Sequence, residues 1–325
     1  MHDPRAIFHI RSAAEFEAAA LDVFRFQAGH CVPYKEYIGY LNINPVAVGR
    51  VDEIPFLPIE IFKSHDVYAG ENAPEIVFTS SATTGQTPSR HPVADLALYE
   101  ESFTAGFKLF YGDPAGYTIL ALLPNYLERA GSSLVYMTDR LIAAGEGGGF
   151  FLHDHDSLLR AMEKAAARER KILLLGVSFA LWELAEKHRF SFPNLTVMET
   201  GGMKGRREEI TRDELHAILC GSFDVAAIHS EYGMAELLSQ AYSDGEGVFR
   251  CPPWMRIAVR DTYDPLELLP SGRTGGVNII DLANVYSCSF IETQDLGARA
   301  SDGSFRILGR IDKSEIRGCN LMAEG

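Results

Sequence analysis

Hydrophobic and polar positions along this chain follow two periods, and together they predict alternating strands and helices. Phe16, Ala20 and Val23 fall on one face of a helix, which predicts an amphipathic helix over residues 12–27. Short apolar runs and longer amphipathic stretches then alternate. Strands are predicted at Ile76–Thr79, Tyr117–Leu123, Lys171–Leu175, Leu195–Met198 and Val225–Ile228. Helices are predicted at Val93–Phe110, Leu158–Glu169, Ser178–Lys187, Arg206–Leu219 and, as a helix start, Ala235–Ala241.

The order of these elements predicts the fold class. Strands that alternate with helices imply an α/β protein, with a mostly parallel sheet covered by helices on both faces. After Gly247 the pattern changes to short strands separated by turns. These strands are predicted at Arg256–Arg260, Val277–Asp281, Ser289–Glu292 and Phe305–Leu308. We therefore predict an α/β core over residues 1–247 and a β-rich subdomain over residues 248–325.

Charge and cysteine content narrow the class of protein. The 325 residues include 30 Lys and Arg against 44 Asp and Glu, a net charge of −14. This argues against binding to nucleic acid or anionic lipid, because both need a basic surface. No apolar run approaches the roughly 18 residues of a membrane span, and the N-terminus lacks an apolar signal core. The five cysteines are scattered without a CxxC pair, so we expect a cytoplasmic protein without a disulfide framework.

The segment FTSSATTGQTPSRH, residues 78–91, follows a predicted strand and offers many hydroxyls before a glycine. Such a loop, with free backbone N–H groups and the positive charge of Arg90, suits a polyphosphate. It is not the Walker loop, because the pattern GxxxxGK[ST] is missing. A polar surface loop is the alternative interpretation.

Two further segments join a predicted strand to a predicted helix. In VMETGGMKG, the pair Gly201 and Gly202 allows a flat ligand to approach the backbone closely. In IHSEYGMAELLSQ, Tyr232 offers an aromatic face, Gly233 a tight turn and Glu236 a carboxylate that suits Mg²⁺ beside a triphosphate. The alternatives are an ordinary turn and a helix start favoured by the helix dipole.

Two segments near the end of the chain, FIETQDLG and LGRIDKSEIRG, place polar residues beside predicted strands. An Asp at a strand end and an Arg in a turn, here Asp295 and Arg310, can hold two ribose hydroxyls. The alternative is a pair of hairpin turns. Each segment taken singly fits an ordinary loop, so the informative feature is their order along the chain.

The order of hydroxyl-rich loop, GG, YGxxE, TxDxG and GRxD resembles the adenylate-forming superfamily of acyl-CoA synthetases, luciferase and adenylation domains. The resemblance runs from about Ile76 to the C-terminus. Within that group, IPFLPIEIFKS, LLPNYLERAGSSLVYM and EIRGCNLM are similar to the LuxE-type acyl-protein synthetases. The resemblance implies the large N-terminal domain of the adenylate-forming fold, with nucleotide and acyl group bound in the α/β core.

The resemblance also implies an enzyme that converts a carboxylic acid and Mg·ATP into acyl-AMP and pyrophosphate. The reaction adds negative charge between anionic groups, so a metal and fixed donors must neutralise it. Glu236 would bind Mg²⁺, and Arg90 and Lys204 would act in catalysis. The implied phosphate-binding residues are Ser80, Ser81, Thr83, Thr84 and Gly85. The implied adenine- and ribose-binding residues are Gly201, Gly202, Tyr232, Gly233, Asp295 and Arg310.

The chain departs from the superfamily pattern within these motifs. Ala82 and Gln294 stand where glycine is usual, and Ala235 stands where threonine is usual. Arg90 takes the place of a lysine, which keeps the charge but changes its reach and geometry. We expect these changes to affect the rate more than the mode of binding.

The end of the chain carries the largest departure. In most of the superfamily GRxD leads into a lid domain whose lysine assists adenylation, whereas this sequence ends at Gly325 and we expect no C-terminal lid domain. Lys204 and Lys313 are candidates to replace that lysine. In the LuxE-type family a cysteine near the C-terminus accepts the acyl group, and Cys319 lies at the corresponding place. A thiolate suits this attack, and a small buried hydrophobic residue is the alternative.

The resemblance therefore implies a ligase that uses ATP and Mg²⁺ to activate a carboxylic acid, expected to be a fatty acid, and passes the acyl group to Cys319. A reductase or carrier protein would then receive it. An acyl-CoA-type ligase and a module that binds nucleotide or acyl group without catalysis are the alternatives. The acid pocket is expected around Tyr126, Leu127, Val177 and Phe179.

Two motifs suggest other chemistry. GVSFA, residues 176–180, resembles the nucleophile elbow of a serine hydrolase, with Ser178 as nucleophile and His216 or His229 later in the chain. The final glycine of the elbow is missing, and we favour Ser178 as the cap of the following helix. The run HDHD at residues 153–156 has metal-binding residue types, but it adjoins a glycine-rich loop, which favours a solvated turn.

Overall fold

The computed structural model describes residues 3–81, 87–123, 131–201 and 210–311. The first long helix, α1 (Ala13–His30), begins where its sequence provides a cap. The Ser12 side chain accepts the backbone N–H of Glu15, and Glu15 in turn accepts the backbone N–H of Ser12. Its buried face carries Phe16 and Val23. The helix predicted from the apolar period is therefore confirmed.

The other elements alternate along the chain. The remaining described α-helices are α2 (Val32–Tyr40), α3 (Leu96–Tyr111), α4 (Ser133–Ala144), α5 (His155–Ala166), α6 (Ser178–Lys187) and α7 (Arg212–Phe223). The earlier strands are β1 (Leu57–Pro58), β2 (Ile76–Thr79), β3 (Arg90–Val93), β4 (Tyr117–Leu122), β5 (Gly149–Phe150), β6 (Lys171–Val177) and β7 (Leu195–Thr200). The later strands are β8 (His229–Tyr232), β9 (Ala241–Ser243), β10 (Met255–Arg260), β11 (Thr274–Asp281), β12 (Phe290–Arg299) and β13 (Phe305–Arg310).

A six-stranded sheet of order β5-β4-β6-β7-β8-β9 forms the centre of the fold. Its strands are parallel up to β8, and β9 runs antiparallel. Successive residues of β6 point into different hydrophobic cores, Leu173 and Leu175 into one, Ile172 and Leu174 into the other. Because both faces are covered, the strand is an unbroken apolar run. The predicted α/β class with a mostly parallel sheet is confirmed.

A five-stranded sheet of order β1-β12-β11-β10, with β13 also paired to β12, lies in the later part of the chain. Its pairs are antiparallel except for the parallel pair of β1 with β12. Helix α1 packs against this sheet, with the Phe24 and Phe290 ring centroids 6.0 Å apart. A helix from the start of the chain therefore packs on strands from its later part. Because this packing crosses the predicted division after residue 247, that division stays a prediction.

The structure corrects several predicted boundaries; the helix predicted from Arg206, for example, begins at Arg212 after its cap Thr211. Val93 ends β3, which pairs with β2 in an antiparallel hairpin, so the helix predicted from Val93 begins at Leu96. Asp95 caps that helix by accepting the backbone N–H of Leu98. The residues of the predicted strand 225–228 precede the real strand, and β8 begins at His229.

The predicted helix start at Ala235–Ala241 is wrong. This segment is a loop that leads into β9. The reason is a tertiary contact, because the buried Asp281 carboxyl group accepts the backbone N–H groups of Leu238 and Ser239. The Trp254 indole N–H also lies 3.0 Å from the Ser239 hydroxyl oxygen. Among the described residues, no helix is both long and apolar enough to cross a membrane.

Candidate functional site

A cavity of about 370 Å³ lies at the carboxyl edge of the six-stranded sheet. Gly201 follows the end of β7 and Tyr232 ends β8, so two neighbouring parallel strands lead their last residues to one place. Residues after β2 and residues of β12 and β13 complete the wall. The sequence-predicted residues that line it are Ser80, Ser81, Gly201, Tyr232, Gly233, Glu236, Asp295 and Arg310.

One wall of the cavity is built around Tyr232. Its ring packs against Phe249 and Phe305, with centroids 5.8 and 5.6 Å away. Its hydroxyl donates a 2.6 Å hydrogen bond to Asp295 Oδ2, and Arg310 Nε lies 3.8 Å from Asp295 Oδ1. Burial raises the pKa of Asp295, while the Tyr232 hydroxyl and the Arg310 charge oppose this rise.

Asp295 and Arg310 are direct partners in the register of β12 and β13. Asp295 therefore lies within a strand and not at its end, and Arg310 ends a strand and does not lie in a turn. The second segment is described only as far as residue 311. Pairing places an acceptor and a donor side by side at the cavity, although they are 15 positions apart in the sequence. Such an arrangement can bind two adjacent hydroxyls.

Glu236 reaches the cavity from the loop between β8 and β9. The backbone of this loop is held by side chains from other elements. Asn284 Nδ2 donates to the Glu236 carbonyl oxygen at 2.6 Å, and His91 Nδ1 donates to the Ala235 carbonyl oxygen at 2.8 Å. Burial lowers the pKa of His91 to about 4, so this imidazole is neutral and its donor is fixed. Tertiary contacts, and not a helix start, position the Glu236 carboxyl group.

Lys63 and Ser89 also line the cavity, although neither was among the predicted site residues. Both act on Glu236, whose pKa is raised by burial and lowered by the Ser89 hydroxyl and the Lys63 charge. Lys63 belongs to IPFLPIEIFKS, one of the stretches similar to the LuxE-type family. That stretch was the signal that could have identified Lys63.

Arg90 does not join the cavity wall. Its side chain is 56% exposed, with Nε 3.6 Å from Asp66 Oδ1. Neighbouring side chains of an extended segment point to opposite faces, so Ser89 faces the cavity and Arg90 faces away. The catalytic role of Arg90 stays a prediction that the cavity geometry does not favour.

A buried carboxyl group outside the predicted set, Glu231, also lines the cavity. It precedes Tyr232 on β8 and accepts a hydrogen bond from the Thr200 hydroxyl of β7. Burial raises the pKa of Glu231 to about 7; the nearby Glu199 adds to this rise and Thr200 opposes it. Glu231 stands in the segment IHSEYGMAELLSQ, one residue before YGxxE, but it was not predicted as a site residue because its environment forms only when β7 and β8 pair.

Glu199 on β7 is a second buried carboxylate, and it has many partners. Ser178 donates to its Oε2 at 2.6 Å, and Ser230 donates to its Oε1 at 3.0 Å. Arg212 Nε and His216 Nε2 each lie 3.5 Å from its Oε1. Burial alone would raise the pKa of Glu199, but hydrogen bonds from His216 and Ser178 and the Arg212 charge hold it below its usual value.

This network decides the interpretation of Ser178. Helix α6 begins at Ser178 itself, with Val177 before it and no side-chain cap, so the predicted capping role is wrong. The Glu199 carboxylate lies between Ser178 and His216. The Ser178 hydroxyl therefore faces an acid, whereas a hydrolase triad requires an imidazole next to the serine. The geometry does not favour the serine hydrolase alternative.

Other predicted residues are distributed as follows. Thr83, Thr84, Gly85, Tyr126, Leu127, Gly202, Lys204, Lys313 and Cys319 lie outside the described residues. Val177 and Phe179, expected in the acid pocket, instead pack in a hydrophobic core.

In the run HDHD, Asp154 caps α5 by accepting the backbone N–H of Ser157. Among the described residues, no group of three or more His, Cys, Asp or Glu side chains is placed to hold a metal ion.

Comparison with known proteins supports the fold assignment. No protein-family model and no curated protein matches this sequence. The open conformation of 2-hydroxyisobutyryl-CoA ligase, in complex with 2-HIB-AMP and CoA, has a TM-score of 0.67 at 14% identity over 97% of this chain and 76% of that chain. ATP-bound MatB from Rhodopseudomonas palustris has a TM-score of 0.56 at 18% identity over 74% of this chain and 49% of that chain.

A luciferase-like enzyme from the mealworm Zophobas morio is also similar, with a TM-score of 0.52 at 14% identity over 77% of this chain and 59% of that chain. The matched region spans about half the length of MatB. At these identities the similarity shows the fold alone. The chain has the α/β fold of the adenylate-forming enzymes.

Proposed function

We propose that this protein is an adenylate-forming ligase, which activates a carboxylic acid with ATP and then transfers the acyl group to a thiol. The observation that carries the proposal is the convergence of separately predicted motifs on one cavity, represented by Ser81, Tyr232, Glu236 and Asp295. Two structures of similar fold hold ATP and an acyl adenylate, 2-HIB-AMP.

The Tyr232 wall suits an adenosine. An aromatic ring offers a stacking surface for a base, and the bare backbone of Gly201 lets a flat ligand approach closely. Asp295 would accept a hydrogen bond from a ribose hydroxyl, and Arg310 would donate one. The Tyr232 hydroxyl already orients the Asp295 carboxylate at 2.6 Å, so little ordering remains when a nucleotide binds.

The residues present fit a Mg²⁺ ion. Mg²⁺ binds oxygen atoms, keeps several waters and is held by one or two carboxylates together with substrate phosphates. Glu236 offers one buried carboxyl group whose pKa burial raises, and Ser80 and Ser81 line the same cavity. A cation beside Glu236 would offset the cost of ionising that group. Glu236 would hold the ion, which supplies charge neutralisation for the phosphates.

In the first step a carboxylate oxygen forms a bond to the α-phosphorus of ATP. The bond from that phosphorus to the bridging oxygen breaks, and pyrophosphate leaves with the electron pair. No proton is transferred, so the protein has to align the two reactants and neutralise their charge. Lys63 brings a positive charge to the cavity wall, and Ser80 and Ser81 bring hydroxyls.

In the second step a thiolate attacks the acyl carbon, the bond to AMP breaks, and AMP leaves. We propose Cys319 as the acceptor, a fatty acid as the substrate and a reductase or carrier protein as the next recipient. The support is the similarity of EIRGCNLM and two other stretches to the LuxE-type acyl-protein synthetases. Transfer to coenzyme A is the other candidate for this step, because 2-hydroxyisobutyryl-CoA ligase binds CoA.

ATP–pyrophosphate exchange tests the first step. We expect exchange that requires both Mg²⁺ and an added carboxylic acid. Glu236→Gln should lower the exchange rate about 100-fold, the usual scale for losing one stabilising group at a transition state. Glu267→Gln, a change at an exposed loop position, serves as the matched control. ATP binding without exchange for any acid would overturn the proposal and favour a binding module.

Intact-mass analysis tests the second step. The protein is incubated with Mg·ATP and the acid that supports exchange, with and without coenzyme A. A covalent acyl adduct that disappears in Cys319→Ala supports Cys319 as acceptor. The control is Cys220→Ala, since Cys220 is a partly exposed free cysteine. Release of acyl-CoA without any protein adduct would replace the acyl-protein synthetase with an acyl-CoA ligase.

A further inference from the structure

The two faces of strand β8 present different chemistry to the cavity. Successive side chains of a strand point to opposite faces, so Glu231 and Tyr232 face opposite ways. Tyr232 faces Asp295 and the aromatic rings that form the proposed nucleotide wall. Glu231 shares its face with Thr200, its direct partner in the register of β7 and β8. If the nucleotide occupies the Tyr232 wall, the Glu231 wall is left for the acid.

The Glu231 wall is polar at its centre. Glu231 is 8% exposed, and its Oε2 accepts the hydroxyl of Thr200. A Cβ atom built on Gly233 would lie 2.3 Å from Glu231 Oε1 and 3.4 Å from Gln240 Cγ. The glycine therefore allows the carboxyl group and the Gln240 side chain to come together at one point of the cavity wall. Gln240 is also buried and lines the cavity.

Among the described residues, the hydrogen-bonding capacity of the Glu231 carboxyl group is only partly used. Of the residues that the structure describes, Thr200 alone donates a side-chain hydrogen bond to this carboxyl group. The nearby Tyr99 cannot serve a ligand as donor, since its hydroxyl donates to the Ser133 carbonyl oxygen at 3.0 Å. Burial raises the pKa of Glu231 to about 7, so near neutral pH a large share of this group carries a proton that it can donate.

A plain alkyl chain against this wall would be unfavourable. It would remove water from Glu231 and Gln240 without replacing the hydrogen bonds, and unmade hydrogen bonds of buried groups are costly. A neutral group such as a hydroxyl could donate and accept there. Met137 and Leu134, which also line the cavity, would contact the hydrocarbon part of the same molecule.

We propose that Glu231 selects the acid by hydrogen bonding, so that the substrate is a carboxylic acid with a hydroxyl group on its acyl chain and not a plain alkyl acid. This inference rests on the proposed adenylation function, because it assigns the Glu231 side of the cavity to the acid. It narrows the fatty acid of that proposal to a hydroxylated one.

Matched acids test the inference. Pairs of equal chain length, with and without one hydroxyl at carbon 2 or carbon 3, and the corresponding amino acids, are compared in ATP–pyrophosphate exchange. We expect kcat/KM of the wild-type protein to favour one hydroxy acid over its plain partner by about tenfold or more. Glu231→Gln should keep most of this preference, because an amide still donates and accepts. Glu231→Leu should reduce the ratio to about two or less.

Equal use of both members of every pair, or an unchanged preference in Glu231→Leu, would overturn the inference while leaving adenylation intact. A preference for the amino acids would show that Glu231 binds a cation, which also overturns it. Calorimetric binding of the same acids in the presence of a non-hydrolysable ATP analogue reads the ratio without turnover. If no acid supports exchange, the proposed function fails, and this binding ratio still decides the role of Glu231.

Discussion

Glu199 and Glu231 lie on the neighbouring parallel strands β7 and β8, yet their surroundings are opposite. Both are buried, with 5% and 8% of their surface exposed. Hydrogen bonds and the Arg212 charge hold the pKa of Glu199 below its usual value in spite of its burial. Burial raises the pKa of Glu231 to about 7, with Thr200 as its donor.

Burial alone therefore does not decide the charge or the role of a carboxyl group. Glu199 accepts hydrogen bonds from Ser178 and Ser230, and its partner Arg212 also donates to the Ile307 carbonyl oxygen of β13 at 3.2 Å. That network joins the end of β7 to the strand that ends at Arg310. Glu231, with spare hydrogen-bonding capacity in a cavity, has the properties expected of a ligand-binding group.

We expect the largest effect when glutamine replaces Glu199 or Glu231, because the two changes should shift the free energy of unfolding in opposite directions. At about pH 8, Glu199→Gln should lower the free energy of unfolding by about 2 kcal/mol, because it weakens charge-assisted hydrogen bonds. Glu231→Gln should raise it by about 2 kcal/mol, because it removes an ionised carboxyl group from a buried site. Urea denaturation of both variants measures the difference. Equal losses in the two variants would show that the two carboxyl groups are equivalent.

The second expected effect is a dependence of folding stability on pH. The pKa of Glu231 in the folded protein, about 7, lies above its usual value of 4.5 in an unfolded chain. Its contribution to stability is therefore complete below about pH 4.5 and is lost as the pH rises through about 7. One pKa unit corresponds to about 1.4 kcal/mol, so wild-type stability relative to Glu231→Gln should fall by about 3 kcal/mol between about pH 5 and pH 9.

The other titratable groups around Glu231 should not produce this change. Burial raises the pKa values of Tyr99, Tyr111 and Tyr242, so these tyrosines stay neutral throughout that pH range. The pKa of Glu199 is lowered, so that group stays ionised. Urea denaturation at a series of pH values, with Glu231→Gln as reference, provides the measurement. A constant difference between the two proteins would contradict the prediction.

The smallest expected effect is a change in KM for ATP, without a change in acid preference, when the Tyr232 wall is altered. Tyr232→Phe removes the hydrogen bond to Asp295, worth about 1 kcal/mol, and should raise KM for ATP about fivefold. The preference between hydroxy and plain acids should stay within about twofold of the wild-type value, because Glu231 faces the other way. Tyr263→Phe, at a residue that is 67% exposed, is the control. A change in acid preference without a change in KM for ATP would reverse the assignment of the walls.

Much of the secondary structure could be predicted because it depends on local patterns. Strand Ile76–Thr79 and helix Ser178–Lys187 were predicted with the boundaries that the structure has. The helix expected at Ala235–Ala241 failed because the carboxyl group of Asp281, distant in sequence, accepts backbone N–H groups of that segment. The spacing of apolar residues within a segment carries no information about a contact with a distant residue.

The candidate site was predictable in part for the same reason. Ser81, Tyr232 and Asp295 stand in motifs, and strand order leads such motifs to one edge of a sheet. Lys63 and Glu231 reach the same cavity, although neither was predicted as a site residue. Their positions depend on strand pairing and on packing between distant parts of the chain.

The sequence alone was enough to predict the α/β class, the approximate positions of many strands and helices, and a set of candidate nucleotide-binding residues, since apolar periods and side-chain chemistry are local properties. Only the tertiary structure decided which of the described buried carboxyl groups have several hydrogen-bond donors and which have one. Glu199 and Glu231 are the same residue type on adjacent strands, and neither carries a local signal of its fate. The pleat turned one toward Ser178 and Arg212 and the other toward Thr200 and the cavity, and those neighbours set their charge.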